Sequence, residues 1–156
     1  MPIDAPHEQF MLEALNEAKK AGTVLEVPVG AVVVRENKII ATGRNRREKS
    51  NSAISHAEIE AIESACKILN SWRLINCDLY VTLEPCPMCA GAIINSRVSK
   101  VIYGAPDPKA GSCGSVINLF DLPYNHKPQV ISGVLKQECS AVLSEFFKSL
   151  RLKKSG

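Results

Sequence analysis

Two short stretches of this 156-residue sequence carry side chains that could do chemistry together: His56-Ala57-Glu58 and Glu84-Pro85-Cys86-Pro87-Met88-Cys89. One imidazole and two thiols are donors of the kind zinc prefers, and a tetrahedral ion held by three protein atoms keeps one position for water. Water held there becomes acidic enough to act as a nucleophile near neutral pH, and a carboxylate beside it can carry the proton. His56, Cys86 and Cys89 are therefore the candidate zinc ligands, and Glu58 the candidate proton carrier.

Other uses of the same residues stay open. Ser55-His56-Ala57-Glu58 also spells a capping box, in which Glu58 folds back on the Ser55 amide. Cys-x-x-Cys at a helix start serves redox chemistry in other proteins. A fourth protein ligand, His126 or Cys113, would close the zinc site into a structural module that binds nucleic acid without catalysis.

The elements that must position these residues follow from apolar periodicity. Phe10, Met11, Ala14, Leu15 and Ala18 recur at helical spacing and predict a helix from Asp4 to Ala21, with Asp4 as N-cap and Gly22 as stop. Val27 to Arg35 and Lys38 to Gly43 predict a hairpin around Glu36-Asn37. Asn45 to Ser55 lacks periodicity and predicts a loop. Ala57, Ala61, Ile62, Ala65, Ile68 and Leu69 predict a helix opened by the His56 segment. Leu79 to Leu83 predicts a strand running into Glu84-Pro85-Cys86, and Cys86 to Ser96 a helix, so both cysteines fall where helix amides and dipole favour thiolates. Strands at Lys100 to Gly104 and Val130 to Val134, a turn within Val116 to Leu122 and a last helix through Leu150 complete the chain. Cys77 and Cys113 fall at expected loop positions. This order predicts an α/β fold, a three-layer αβα arrangement around a central five-stranded mixed sheet, because strand-helix-strand crossovers need parallel neighbours.

Composition bounds the remaining possibilities. The length suits one domain over residues 1–156. The chain is 46% hydrophobic and 22% charged, with no apolar run approaching the roughly 20 residues that span a bilayer. Met1 to Phe10 has the character of neither signal nor transit peptide, and six cysteines in so apolar a chain need not pair, which implies the cytoplasm. The net charge of +3 is modest, but Arg44, Arg46, Arg47 and Lys49 crowd one loop and Lys148, Arg151, Lys153 and Lys154 the C-terminus. Both clusters are candidates for phosphate contacts.

The residues also resemble a known family. His56-Ala57-Glu58 and Pro85-Cys86-Pro87-Met88-Cys89 are similar to the H-x-E and P-C-x-x-C pattern of the zinc nucleobase deaminases. Val27-Pro28-Val29-Gly30-Ala31, Thr82-Leu83-Glu84-Pro85-Cys86, Met88-Cys89-Ala90-Gly91-Ala92-Ile93 and Val101-Ile102-Tyr103-Gly104-Ala105 resemble the bacterial tRNA-specific adenosine deaminases over nearly the whole chain. The resemblance implies a cytidine-deaminase-like fold and hydrolytic conversion of the wobble adenosine of a tRNA anticodon to inosine. It implies a homodimer with one zinc per subunit bound by His56, Cys86 and Cys89, with Glu58 as general acid and base. It further implies that Asn45, Val29 and Ala57 contact the base and that Asp107 contacts the preceding ribose. Arg44, Arg46, Lys109, Arg151 and Lys153 are then candidates for RNA phosphate contacts. The same fold in a deaminase of free cytosine, cytidine or guanine is the alternative. Asn51-Ser52-Ala53-Ile54-Ser55 and Pro108 depart from the family pattern near the flanking-nucleotide contacts.

Overall fold

The computed structural model describes residues 5–155, so the expected N-cap Asp4 lies outside the described residues. Its elements in chain order are α1 (Ala5–Thr23), β1 (Gly30–Arg35), β2 (Lys38–Arg44), α2 (Arg47–Ser50), α3 (Ala57–Leu69), β3 (Cys77–Leu83), α4 (Pro87–Ser96), β4 (Lys100–Ala105), a 3-10 turn (Leu119–Asp121), β5 (Gln129–Ser132) and α5 (Lys136–Ser155).

Side chains of β1 alternate between two cores. Ala31 and Val33 join α3 and α4 on one face, and Val32 and Val34 join α1 and α5 on the other. Leu79 and Val81 against Tyr80, and Val101 and Tyr103 against Ile102, repeat the division in β3 and β4. A strand buried on both faces reads as a continuous apolar run, and each fully buried valine or leucine adds roughly 1.5–3 kcal/mol relative to exposure. The strand order is β2-β1-β3-β4-β5. β1 runs antiparallel to both its neighbours, while β3-β4 and β4-β5 are parallel. This is the expected three-layer mixed sheet.

Local chemistry sets the boundaries. Glu36 and Asn37 both have positive φ, the two-residue turn whose twist matches a hairpin. Several segments differ from expectation. α1 runs past the expected stop Gly22 to Thr23, and β1 opens at Gly30 instead of Val27, because the Val27 and Val29 carbonyls accept from Asn45 and not from a ladder partner. Cys77 opens β3 and is fully buried instead of lying in a loop; the strand starts two residues early because Cys77 pairs in register with Arg35 of β1, and Asp78 with Val34 of β1 and Lys100 of β4. β5 stops at Ser132, since Gly133 takes φ 84° and turns the chain. Residues 47–50 form a helical turn in the expected loop, held from outside by Glu26, whose carboxylate accepts from the Glu48 and Lys49 amides at 3.1 and 2.8 Å.

Two glycines let helices lie directly on the sheet. A methyl group on Gly30 would run into the Ala14 carbonyl oxygen of α1, and one on Gly43 into the Ala57 carbonyl oxygen at the start of α3. Gly43 thereby sets how closely the first turn of α3, with His56 and Glu58, approaches β2. Gly43→Ala is expected to lower stability by about 1–3 kcal/mol in urea titration, the usual cost of overpacking. Gly91→Ala, on α4 with open space around its Cα, is expected to be neutral or to stabilise by about 0.5–1 kcal/mol.

Candidate active site

Both chemical segments sit at helix starts. His56 is the N-cap residue of α3, and Cys86 the N-cap residue of α4, with Pro87 in the first helical position that suits its fixed φ. Neither residue caps its helix with a side-chain hydrogen bond, and the His56 imidazole faces the thiols of Cys86 and Cys89. His56 Nδ1 lies 3.6 Å from Cys86 Sγ and 3.5 Å from Cys89 Sγ. Zinc–nitrogen and zinc–sulfur bonds of about 2.0–2.1 and 2.3 Å at a tetrahedral angle predict a nitrogen–sulfur edge of roughly 3.6 Å. The three donors thus fit zinc in number, type and spacing. Among the described residues no fourth His, Cys, Asp or Glu donor joins this cluster. His126 Nε2 instead lies 2.7 Å from the Val98 carbonyl oxygen, and Cys113 is buried beside Phe120 in the α3/α4-side core.

The electrostatics are those of thiols sharing a proton. Cys86 is pulled down to about 4, first by the hydrogen bond from Cys89 and then by His56, while burial opposes. Cys89 is pushed up by the same contact and by burial. His56 is raised, chiefly by its hydrogen bond with Cys86. A polarised, thiolate-bearing pair beside an imidazole is the starting state a soft cation binds by displacing protons.

Glu58 is buried, and its carboxyl touches the Cys89 thiol. Burial pushes it up to about 7, opposed by its own backbone amide and by His56. The Ser55 amide bonds to the Ser52 carbonyl at 3.3 Å, so the capping-box alternative does not describe this helix start.

These groups open onto a cavity of about 210 Å3 whose wall includes Val29, Asn45, His56, Ala57, Glu58, Cys86 and Asp107. Its size suits one heterocyclic base. Asn45 is buried; its Nδ2 donates to the Val27 carbonyl and its Oδ1 accepts from the Arg47 amide, both at 3.2 Å. One amide hydrogen of Asn45 is left over for a ligand. Asp107 uses Oδ1 for the Lys109 and Ala110 amides at 3.0 and 3.3 Å.

The candidate cations divide. Arg44 pairs with Glu17 at 3.5 Å and Arg46 with Glu60 at 2.8 Å, the latter off the N–H direction and so an ion pair without an aligned hydrogen bond. Both charges are met inside the molecule. Arg47 instead lines the cavity and, among the described residues, pairs with no carboxylate. Lys109 is exposed beside Asp107, whereas Arg151 and Lys153 are exposed on the last turns of α5, where Lys153 borders a separate groove against α1.

Sequence patterns did not single out Glu84. Its buried carboxylate accepts from the Asp107, Cys113 and Ser115 amides at 3.0, 3.0 and 3.1 Å and from the Ser115 hydroxyl. Burial raises its pKa, but these bonds, led by the Ser115 hydroxyl, outweigh burial and hold it below the usual carboxylate range. Glu84 thus ties the loop that carries Asp107 to the strand end that carries Cys86. An acidic residue inside an otherwise apolar strand-to-helix junction was the available signal.

Comparison with known proteins agrees with this geometry. The cytidine and deoxycytidylate deaminase zinc-binding region matches residues 4–105. The tRNA-specific adenosine deaminase of Bacillus subtilis (strain 168) is 53% identical over 148 residues, covering 94% of this chain and 92% of that protein. That of Agrobacterium fabrum is 45% identical, covering 95% and 98%. A solved structure from work on A-to-I editing by tRNA:A34 deaminases at the wobble position of transfer RNA superposes with a TM-score of 0.85 at 46% identity, over 86% of this chain and 99% of that one.

Protein purified with its thiols reduced is expected to carry zinc by elemental analysis. Cys86→Ala and Cys89→Ala should lose nearly all of it, and Glu58→Ala should keep it. Glu84→Ala removes the shared acceptor of three buried or half-buried amides, each worth about 1–3 kcal/mol when unsatisfied, and should raise hydrogen exchange over residues 107–115 before any other segment.

Proposed function

This chain belongs to the cytidine and deoxycytidylate deaminase zinc-binding family and, within it, to the tRNA-specific adenosine deaminases, and on that premise we propose that it hydrolyses the wobble adenosine of a tRNA anticodon to inosine with release of ammonia. The observation that carries this proposal is the meeting, on one base-sized cavity, of a three-donor zinc cluster and the buried Glu58.

His56, Cys86 and Cys89 would hold one zinc per subunit. When bound, zinc supplies Lewis acidity and a solvent-derived nucleophile at neutral pH. Glu58 then moves protons between fixed points, placing one on the purine ring nitrogen next to C6 and delivering another to the departing amine. Asn45 orients the base through its unused amide hydrogen, since an amide matches the mixed donors and acceptors of a base edge. Val29 and Ala57 pack against the base and exclude water. Asp107 keeps Oδ2 for a 2'-hydroxyl of the preceding nucleotide, a contact that selects RNA over DNA. Lys109, Arg151 and Lys153 lie outside the cavity where phosphates would run, and Arg44 and Arg46 each turn one nitrogen to Glu17 and Glu60 and keep further donors for phosphates.

Because Glu58 and the metal donors line a recessed cavity, the target base must leave its stack to reach them. The described residues act as one catalytic domain. A second copy would cover exposed apolar side chains such as Ile68, Trp72 and Ile75, making the homodimer. All six cysteines are free, as in the reducing cytoplasm where tRNA is matured, and no helix among the described residues is long and apolar enough to cross a membrane.

The purified protein is expected to deaminate an anticodon stem-loop bearing adenosine at the wobble position and to leave free adenosine, cytidine, cytosine and guanine unchanged. Glu58→Ala should reduce turnover by at least about 10^2–10^4-fold, the usual share of a positioned proton carrier. Turnover of the free compounds alone would replace this proposal with a free-nucleobase deaminase.

A further inference from the structure

Glu26 lies outside the metal cluster and outside the cavity wall, yet it is among the most buried charged side chains, at 2% exposure. Its two carboxylate oxygens each take one amide of the turn that follows Arg47: Oε1 from Glu48 at 3.1 Å and Oε2 from Lys49 at 2.8 Å. The next residue, Val27, accepts from Asn45 Nδ2, and Val29 accepts from the Asn45 amide at 3.2 Å. Residues 26–29 and 45–49 are thereby stitched side by side, with Asn45 and Arg47 on the cavity side of the seam. Arg47 also lies near enough to His56 for its charge to be felt there.

A turn of four residues with no buried side chain cannot hold its own conformation. α2 has no capping side chain on its N-cap residue Arg46, so the external carboxylate supplies the acceptors its amides would otherwise lack. A carboxylate is suited to this because it gives each of the two adjacent N–H groups its own charged oxygen, whereas an amide has one acceptor oxygen without charge.

We propose that Glu26 is a positioning residue for RNA binding: by fixing the Arg47–Ser50 turn it holds the Arg47 guanidinium at the mouth of the cavity, where it contacts the phosphate backbone of the strand whose base enters. Glu26 itself touches no substrate. The inference rests on the RNA-deaminase function proposed above.

The test uses the full-length, zinc-loaded protein and a synthetic anticodon stem-loop. Glu26→Gln replaces one acceptor by a donor and should raise KM roughly tenfold, the scale of a displaced charge-assisted contact, while kcat stays within about twofold and zinc content is unchanged. Glu26→Asp keeps a carboxylate and should recover part of the loss. Arg47→Ala should raise KM similarly, and Glu26→Gln added to it should cost little more, because the two act on one contact. An unchanged KM in folded, zinc-loaded Glu26→Gln, a fall in kcat with KM constant, or fully additive effects in the double variant would each overturn the proposal. Failure of both Glu26→Gln and Glu26→Asp to fold would overturn it too, by assigning Glu26 to stability. Failure of the unmodified protein to act on the stem-loop would count against the RNA function and not against the clamp, which amide exchange at Glu48 and Lys49 reads without substrate.

Discussion

The arrangement depends on two helix starts aimed at one point. α3 is capped at His56 and α4 at Cys86, and neither N-cap side chain makes a capping hydrogen bond, so that the imidazole nitrogen comes within 3.5–3.6 Å of both thiols. The hydrogen bond between the two thiols pulls Cys86 down and pushes Cys89 up, while burial pushes both up. The sheet enforces the meeting. β3 delivers Cys86 at its end, and Gly43 of β2 lets the start of α3 lie against backbone. A metal bound there would take the place of thiol protons, which links metal binding to folding.

Around that point the molecule uses buried carboxylates as fasteners. Glu84 gathers the 107–115 loop and Glu26 gathers the 47–50 turn, one on each side of the cavity. The 47–50 turn buries no side chain and the 107–115 loop sends only Cys113 into the apolar core, so both conformations are imposed largely from elsewhere in the chain. Loops carry recognition because they can vary, and rigid anchors make such variation usable. Glu17 and Glu60, by contrast, hold Arg44 and Arg46, leaving Arg47 as the cation of that loop nearest the site.

Much of this was legible from residue types and spacing. The His-x-Glu and Cys-x-x-Cys stretches announced the cluster, and period-two and helical patterns located the strands and helices, because those signals are local. What escaped was set by contacts distant in sequence. α2 exists through Glu26, more than twenty positions away, and no periodicity marks it. Cys77 is a strand residue because it pairs with Arg35 of β1, more than forty positions away. The ion pairs of Arg44 and Arg46 depend on how α1 and α3 lie beside β2, which charge clustering along the chain cannot reveal.

X-ray absorption at the zinc edge of the protein as purified reads the centre most directly. Two sulfur scatterers near about 2.3 Å, one imidazole nitrogen near about 2.0–2.1 Å and a single exchangeable light atom that the protein does not supply are expected. A third sulfur or a second imidazole, closing the coordination sphere with protein atoms, would contradict a catalytic centre beside Glu58.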